Sequence, residues 1–230
     1  MRVWHISRPE PYRLSHMKKP GIGKQARGFT LVELMVAIVI IAALAGLVFG
    51  IAKSTLMKSR MSANLTNVRS LGVEVQGYAQ DNAGILPTWR DDSQDLYWWG
   101  MLVKDPKNES LLGKFKSPSD KEFDVNKIES TISYGWNARV VGRSADSAGD
   151  DGPKRLASFK QPAEILVLAD TRKGAMGLID EGALPDPDRY DGKAAGLMLD
   201  GSARTLTLEN DFGANSKWFK TEEEREQSGN

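Results

Sequence analysis

From Phe29 to Ala52 the chain carries one charged side chain, Glu33, in an otherwise almost wholly apolar run. At about 1.5 Å of rise per residue, roughly 20 apolar residues cover a hydrocarbon core of about 30 Å, so this run is long enough to cross a bilayer as one helix. A carboxylate near its start is out of place there. At membrane depth an acid costs on the order of 2.5–3.5 kcal/mol on insertion scales, so it calls for a partner, a position near the interface, or a role.

The residues ahead of the run are basic. Residues 1–28 hold seven Lys or Arg (Arg2, Arg8, Arg13, Lys18, Lys19, Lys24, Arg27) against Glu10, and Pro9, Pro11 and Pro20 rule out a continuous helix. Positive charge before a span holds that end in the cytoplasm, which places the C-terminal body outside the inner membrane; Lys53, Lys58 and Arg60 after the span weaken the bias but are outnumbered. An ordinary secretory signal has an apolar core of about 7 to 15 residues and is cut after it. Here the run is longer.

The octet Arg27-Gly28-Phe29-Thr30-Leu31-Val32-Glu33-Leu34 resembles the processing site of type IV prepilins and type II secretion pseudopilins, in which a basic leader ends in Gly and Phe-Thr-x-x-Glu follows. The resemblance implies cleavage between Gly28 and Phe29 by a prepilin peptidase, N-methylation of Phe29, and retention of the hydrophobic segment. It also gives Glu33 a partner, because an incoming subunit's Phe29 ammonium can pair with a neighbour's Glu33 in low dielectric. The bland alternative is a signal anchor that happens to contain these residues. Within the span, Ala42, Gly46 and Gly50 recur every four residues on one face. They suit close helix packing in a filament core, or simply reflect how common small residues are in membrane helices.

After the span, Leu65, Val68, Leu71, Val75 and Tyr78 follow three- and four-residue steps, with Asn64, Asn67, Arg69, Glu74 and Gln76 between them. One helix is expected from Phe29 to about Asn82, with Gly72 and Gly77 as weak spots and Gly84 and Pro87 as its stop. Strand signals follow at Ile132–Asn137, reaching Val140 and Val141, and at Ala163–Asp170. The runs 195–199 and 203–208, joined through Asp200-Gly201, read as a hairpin. The expected fold is α+β and pilin-like: a long N-terminal helix on a small antiparallel sheet. Its parts are a leader at 1–28, a transmembrane segment at 29–52, an amphipathic continuation at 53–82, a globular domain at 83–219, and a charged, frayed tail at 220–230.

The start at Asn64-Leu65, the exit from Tyr78-Ala79 through Asp81-Asn82 and Gly84 to Pro87, and the segment from Pro162 to Ala169-Asp170 resemble an environmental-bacterial pseudopilin subfamily. Many of its members carry a His ten positions before the Asp-Gly of the hairpin; here that position is Tyr190. The only histidines, His5 and His16, lie in the leader.

Composition narrows the function. The chain has no Cys, so disulfides, thiolate nucleophiles and cysteine metal sites are excluded. Without the leader, 24 bases face 29 acids, which argues against a broad nucleic-acid-binding face. No Walker loop or nucleophile elbow is present, so the chain does not read as an enzyme. Asp180, Glu181, Asp186, Asp188 and Asp191 gather in one loop. In the resembling family's major pseudopilins a C-terminal loop binds calcium, but no motif matches residue by residue, and a solvated acidic turn is the other reading. No cofactor is otherwise implied. Trp89, Tyr97, Trp98 and Trp99 either stack on sugars or fill a core.

The resulting expectation is a structural subunit of a type II secretion pseudopilus. Its partners would be the peptidase, other copies, minor pseudopilins and the inner-membrane assembly platform. Alternatives are a type IV pilus subunit for adhesion, motility or DNA uptake, and a membrane-anchored carbohydrate-binding protein.

Overall fold

The computed structural model describes residues 28–103, 105–213 and 216–228, so the leader lies outside the described residues. The chain divides into two units, Met1–Val48 and Phe49–Asn230. Helix α1, Leu31–Asp81, supplies the secondary structure described in the first unit and opens the second.

Within the second unit α1 is amphipathic. Val68, Leu71, Val75 and Ala79 fall at steps of three and four and are buried. The buried stripe is rotated slightly from the expected one. Asn64 and Ala79 lie at its centre, while Leu65 and Tyr78 are only half-buried. The helix stops where a left-handed residue is needed: Ala83 (φ 54°) and Gly84 (φ 81°) turn the chain, and Gly84 N–H donates to Ala79 O at 2.7 Å. Arg155 Nη1 donates to the Ala83 carbonyl at 2.8 Å and so anchors that exit.

The short pair β1 (Arg90–Asp91) and β2 (Leu96–Tyr97) precedes the main sheet. That sheet comprises β3 (Tyr134–Trp136), β4 (Leu166–Asp170), β5 (Lys193–Met198) and β6 (Ala203–Thr207), antiparallel throughout in the order β3-β4-β5-β6. The strands are shorter than expected. Asn137 leaves the sheet, so Ala138–Val141 is a helical turn, and Pro162–Glu164 is a 3-10 turn because Pro162 cannot donate to a ladder. The hairpin forms where Asp200-Gly201 predicted it. Gly201 takes φ 85° and Asp200 Oδ1 accepts Ser202 N–H at 2.9 Å.

Both faces of the sheet are covered. Val167, Leu168, Ala195 and Leu197 join the α1 stripe and the aromatic cluster, whereas Leu166, Ala169, Ala194, Met198 and Leu206 face Phe212, Trp218 and Phe219. The outer edge of β3 is sealed by the following loop, since Trp136 N–H donates to Gly177 O and Ile179 N–H to Trp136 O. β6 forms the other border, five residues long, with Arg204 and Thr205 exposed. Residues 222–228, within the stretch expected to fray, form a helix (Glu222–Ser228). Glu222 receives the Lys160 and Gln161 N–H groups, and Arg225 Nη1 donates to Glu164 O at 2.9 Å.

A buried polar chain fastens α1 to the sheet. Asn64 Nδ2 donates to Asp170 Oδ2 at 2.7 Å, and Tyr134 OH donates to Asn64 Oδ1 at 2.7 Å. Asp170 Oδ2 also accepts Ala195 N–H. Its Oδ1 has no hydrogen-bond partner and lies 3.8 Å from Arg189 Nη1. Arg189 Nη2 is closer to Asp120 Oδ2, at 2.9 Å, and Asp120 Oδ2 in turn accepts Ser133 Oγ–H. Burial pushes the Asp170 carboxyl up to about 6, against the opposing pull of Ala195 N–H, Arg189 and Asn64.

Two predictions follow from this packing. A Cβ added at Gly72 would sit 2.7 Å from Leu197 Cδ1, whereas one at Gly77 would meet nothing within 4 Å. Gly77→Ala is therefore expected to stabilise the chain by roughly 0.5–1 kcal/mol through helix propensity, and Gly72→Ala to lose that gain to the clash, as read by thermal unfolding in detergent. Because the folded-state value of Asp170 lies above its unfolded one, the native state holds this proton more tightly. Its contribution is present in full below about pH 4 and is lost as pH rises through about 6. A shift of about two units corresponds to about 3 kcal/mol. Stability measured across that window should rise on acidification in the native chain, and Asp170→Asn should flatten the slope.

Candidate processing and assembly site

The first turn of α1 is built by Thr30 and Glu33. Thr30 N–H and Thr30 Oγ1 each donate to Glu33 Oε2 at 2.9 Å, and Glu33 N–H donates back to Thr30 Oγ1 at 3.2 Å. This reciprocal arrangement is a capping box, which satisfies amide donors that a helix start leaves open, and places a carboxylate at the positive end of the helix dipole. The Glu33 carboxylate thus has a partner on its own chain. Thr30 went unrecognised as a functional residue in the sequence, although Thr-x-x-Glu before an apolar run is the written signature of the box.

Gly28 and Phe29 precede the helix. Both are exposed; Phe29 is 81 % accessible and a Cβ added at Gly28 would meet nothing within 4 Å. The Gly28–Phe29 peptide is thus open to an extended-chain reader. From Leu31 to Phe49 the large apolar side chains are exposed all round the helix. Ala42 and Gly46 are exposed on this segment as well, while the surroundings of Gly50 lie outside the described residues. Among the described residues α1 is the helix long and apolar enough to cross a membrane, and they bury none of its most apolar stretch. An all-round apolar helix has no stable water-facing side, which is compatible with a single-pass membrane anchor.

The other candidate residues do not join this site. Trp98 and Trp99 are buried: Trp98 stacks on Trp136 at 5.6 Å, meets Phe115 edge-on at 5.3 Å, and gives its Nε1–H to Gly177 O. Tyr97 and Trp99 stack at 4.5 Å. Of the tryptophans considered for sugar stacking, Trp89 alone is partly exposed, with the Arg143 guanidinium 6.0 Å over its ring. The sugar-platform reading of Trp98 and Trp99 is therefore corrected: small domains fill their cores with such rings.

In the acidic loop two carboxylates close its own turns: Asp180 Oδ1 accepts Gly182 N–H at 2.8 Å and Asp186 Oδ1 accepts Asp188 N–H at 2.9 Å. Among the described residues no group of three or more His, Cys, Asp or Glu converges. Tyr190, at the position where many relatives of the resembling subfamily have His, is buried, and its hydroxyl lies 2.6 Å from Ser117 Oγ.

The prokaryotic N-terminal methylation motif matches residues 23–49, which takes in Gly28, Phe29, Thr30, Glu33, Ala42 and Gly46. No curated protein and no solved structure matches the chain. With that motif at the head of a long apolar helix, and with the helix leading into a small antiparallel sheet, the chain fits the type IV pilin-like family.

Proposed function

We propose that this chain is a structural subunit, a pseudopilin, that polymerises into a type II secretion pseudopilus-like filament after a prepilin peptidase cuts between Gly28 and Phe29 and Phe29 is N-methylated. The observation that carries the reading is the pairing of a methylation motif with a helix whose apolar surface the described residues leave exposed. The chain is held in the inner membrane by one pass, with its sheet domain on the outer side, and is handed to the filament by an inner-membrane assembly platform. Other copies and minor pseudopilins then cover the helix, with Ala42, Gly46 and Gly50 at its contact face. Its work is assembly and not catalysis: beyond the leader the chain has neither His nor Cys.

A type IV pilus subunit is the second reading. The absence of Cys favours the secretion system, because it removes the C-terminal disulfide loop carried by many surface pilins. Neighbouring genes for secretion components, or for a retraction ATPase, separate the two.

The capping box sharpens the role of Glu33. In a filament its carboxylate leaves Thr30 to pair with the Phe29 ammonium of another subunit, and both charges lie in low dielectric. Removing one partner of such a pair costs about 3–5 kcal/mol, against about 1 kcal/mol for a lost cap. Glu33→Gln keeps a capping-box side chain and removes the charge, whereas Glu33→Ala removes both.

Both variants are expected to be cut normally and to fail in filament formation, as read by mass spectrometry of the N-terminus and by sheared-filament yield. Normal filaments from Glu33→Gln would refute the charge-pairing role. Gly28→Ala is expected to retain the leader, and a native chain whose mature N-terminus is Met1 would overturn the proposed function.

A further inference from the structure

Beside the sheet, the turns of α1 just past the apolar run face the loop 187–193 across a groove of about 790 Å³. Met57, Met61, Leu65 and Tyr190 give it an apolar floor, beside Ser54, Ser62 and Thr205. Its charges are divided by sign. Lys53, Lys58 and Lys193 line it, and Asp188 and Asp191 stand on the loop. Among the described residues none of these five makes an ion pair within 4.0 Å. Three cations and two anions thus share one depression without neutralising one another.

We propose that this groove binds the phosphoethanolamine headgroup of a membrane phospholipid. The inference rests on the membrane-anchored reading of α1 and adds a ligand to it. Lys53, which lines the groove, directly follows Ala52, the end of the apolar run, so by its place in the chain this lysine lies at headgroup level when that run occupies the hydrocarbon. Lysines at this level bind lipid phosphate while their stems lie along apolar surface.

The phosphate answers the three ammonium groups, and the lipid's own ammonium answers Asp188 and Asp191. The glycerol and first methylenes lie on the methionines, whose flexible thioethers fit irregular apolar surfaces. Phosphatidylglycerol satisfies the lysines but leaves both carboxylates unanswered. Free phosphate makes no use of the floor. A zwitterionic headgroup with an acyl chain meets all three features.

The test uses the full chain in detergent, titrated separately with short-chain phosphatidylethanolamine and phosphatidylglycerol, with retained lipid counted by native mass spectrometry. One phosphatidylethanolamine per chain is expected, held more tightly than phosphatidylglycerol. Lys58→Gln with Lys193→Gln should weaken both lipids, by about fivefold for each lysine removed. Asp188→Asn with Asp191→Asn should lower phosphatidylethanolamine to the level of phosphatidylglycerol without weakening the latter.

All four substitutions lie at exposed positions, so the fold is not at stake. Equal retention of the two lipids, or retention unchanged in the variants, overturns the proposal. So does a two-chain particle that the same substitutions dissolve, because the groove then holds a second copy. Release of the native chain from membranes by alkaline carbonate overturns the anchor and the proposal with it. An anchored chain indifferent to headgroup overturns the lipid site alone.

Discussion

The contact between Asn64 and Asp170 holds the architecture of the second unit together. Asn64 sits in the middle of the buried stripe of α1, where an apolar side chain would have been sufficient for packing, and instead bridges Tyr134 on β3 and Asp170 on β4. Greasy stripes slide and rotate at little cost, whereas a buried amide with both ends matched fits at one rotation only. The expense is a carboxylate in a dry interior, partly answered by Ala195 N–H and by Arg189, which is itself shared with Asp120. Such an arrangement specifies more than it stabilises.

Much of this was legible in the amino-acid order. The length of the apolar run, the three- and four-residue steps after it, and Asp200-Gly201 between two strand-like runs each state a local geometry with few competitors, and α1 and the β5–β6 hairpin formed accordingly. The rotation of the α1 stripe was not legible. Asn64 reads as polar and therefore outward, and only the position of Asp170, 106 residues away, turns it inward. The same holds for Arg189 and Asp120, which look like ordinary surface charges until the fold brings them together. The helix at Glu222–Ser228 was hidden for a related reason: its charges resemble those of a loose tail, but Glu222 and Arg225 meet backbone groups of the 160–164 turn.

At the N-terminal motif the geometry is local and therefore legible in the sequence. Gly28, Phe29 and Glu33 are neighbours along the chain, and the capping box adds only Thr30, three residues away. That box also changes the meaning of the acid. A lone carboxylate at the head of an apolar helix is a penalty; one hydrogen-bonded to a helix terminus is oriented by it and answers open amide donors. The aromatic cluster is the opposite case, since its composition suggested a surface function and its packing made it the ballast of a small domain.

The sheet's borders carry a last consequence. With β3 sealed by residues 177–179, a neighbour seeking to extend the sheet finds only β6, a short edge with a guanidinium on its exposed side. Edges of that kind resist strand-on-strand growth. The main sheet thus keeps most of its hydrogen bonds to itself. A domain bordered in this way can vary its surface with less risk of nucleating cross-β aggregation.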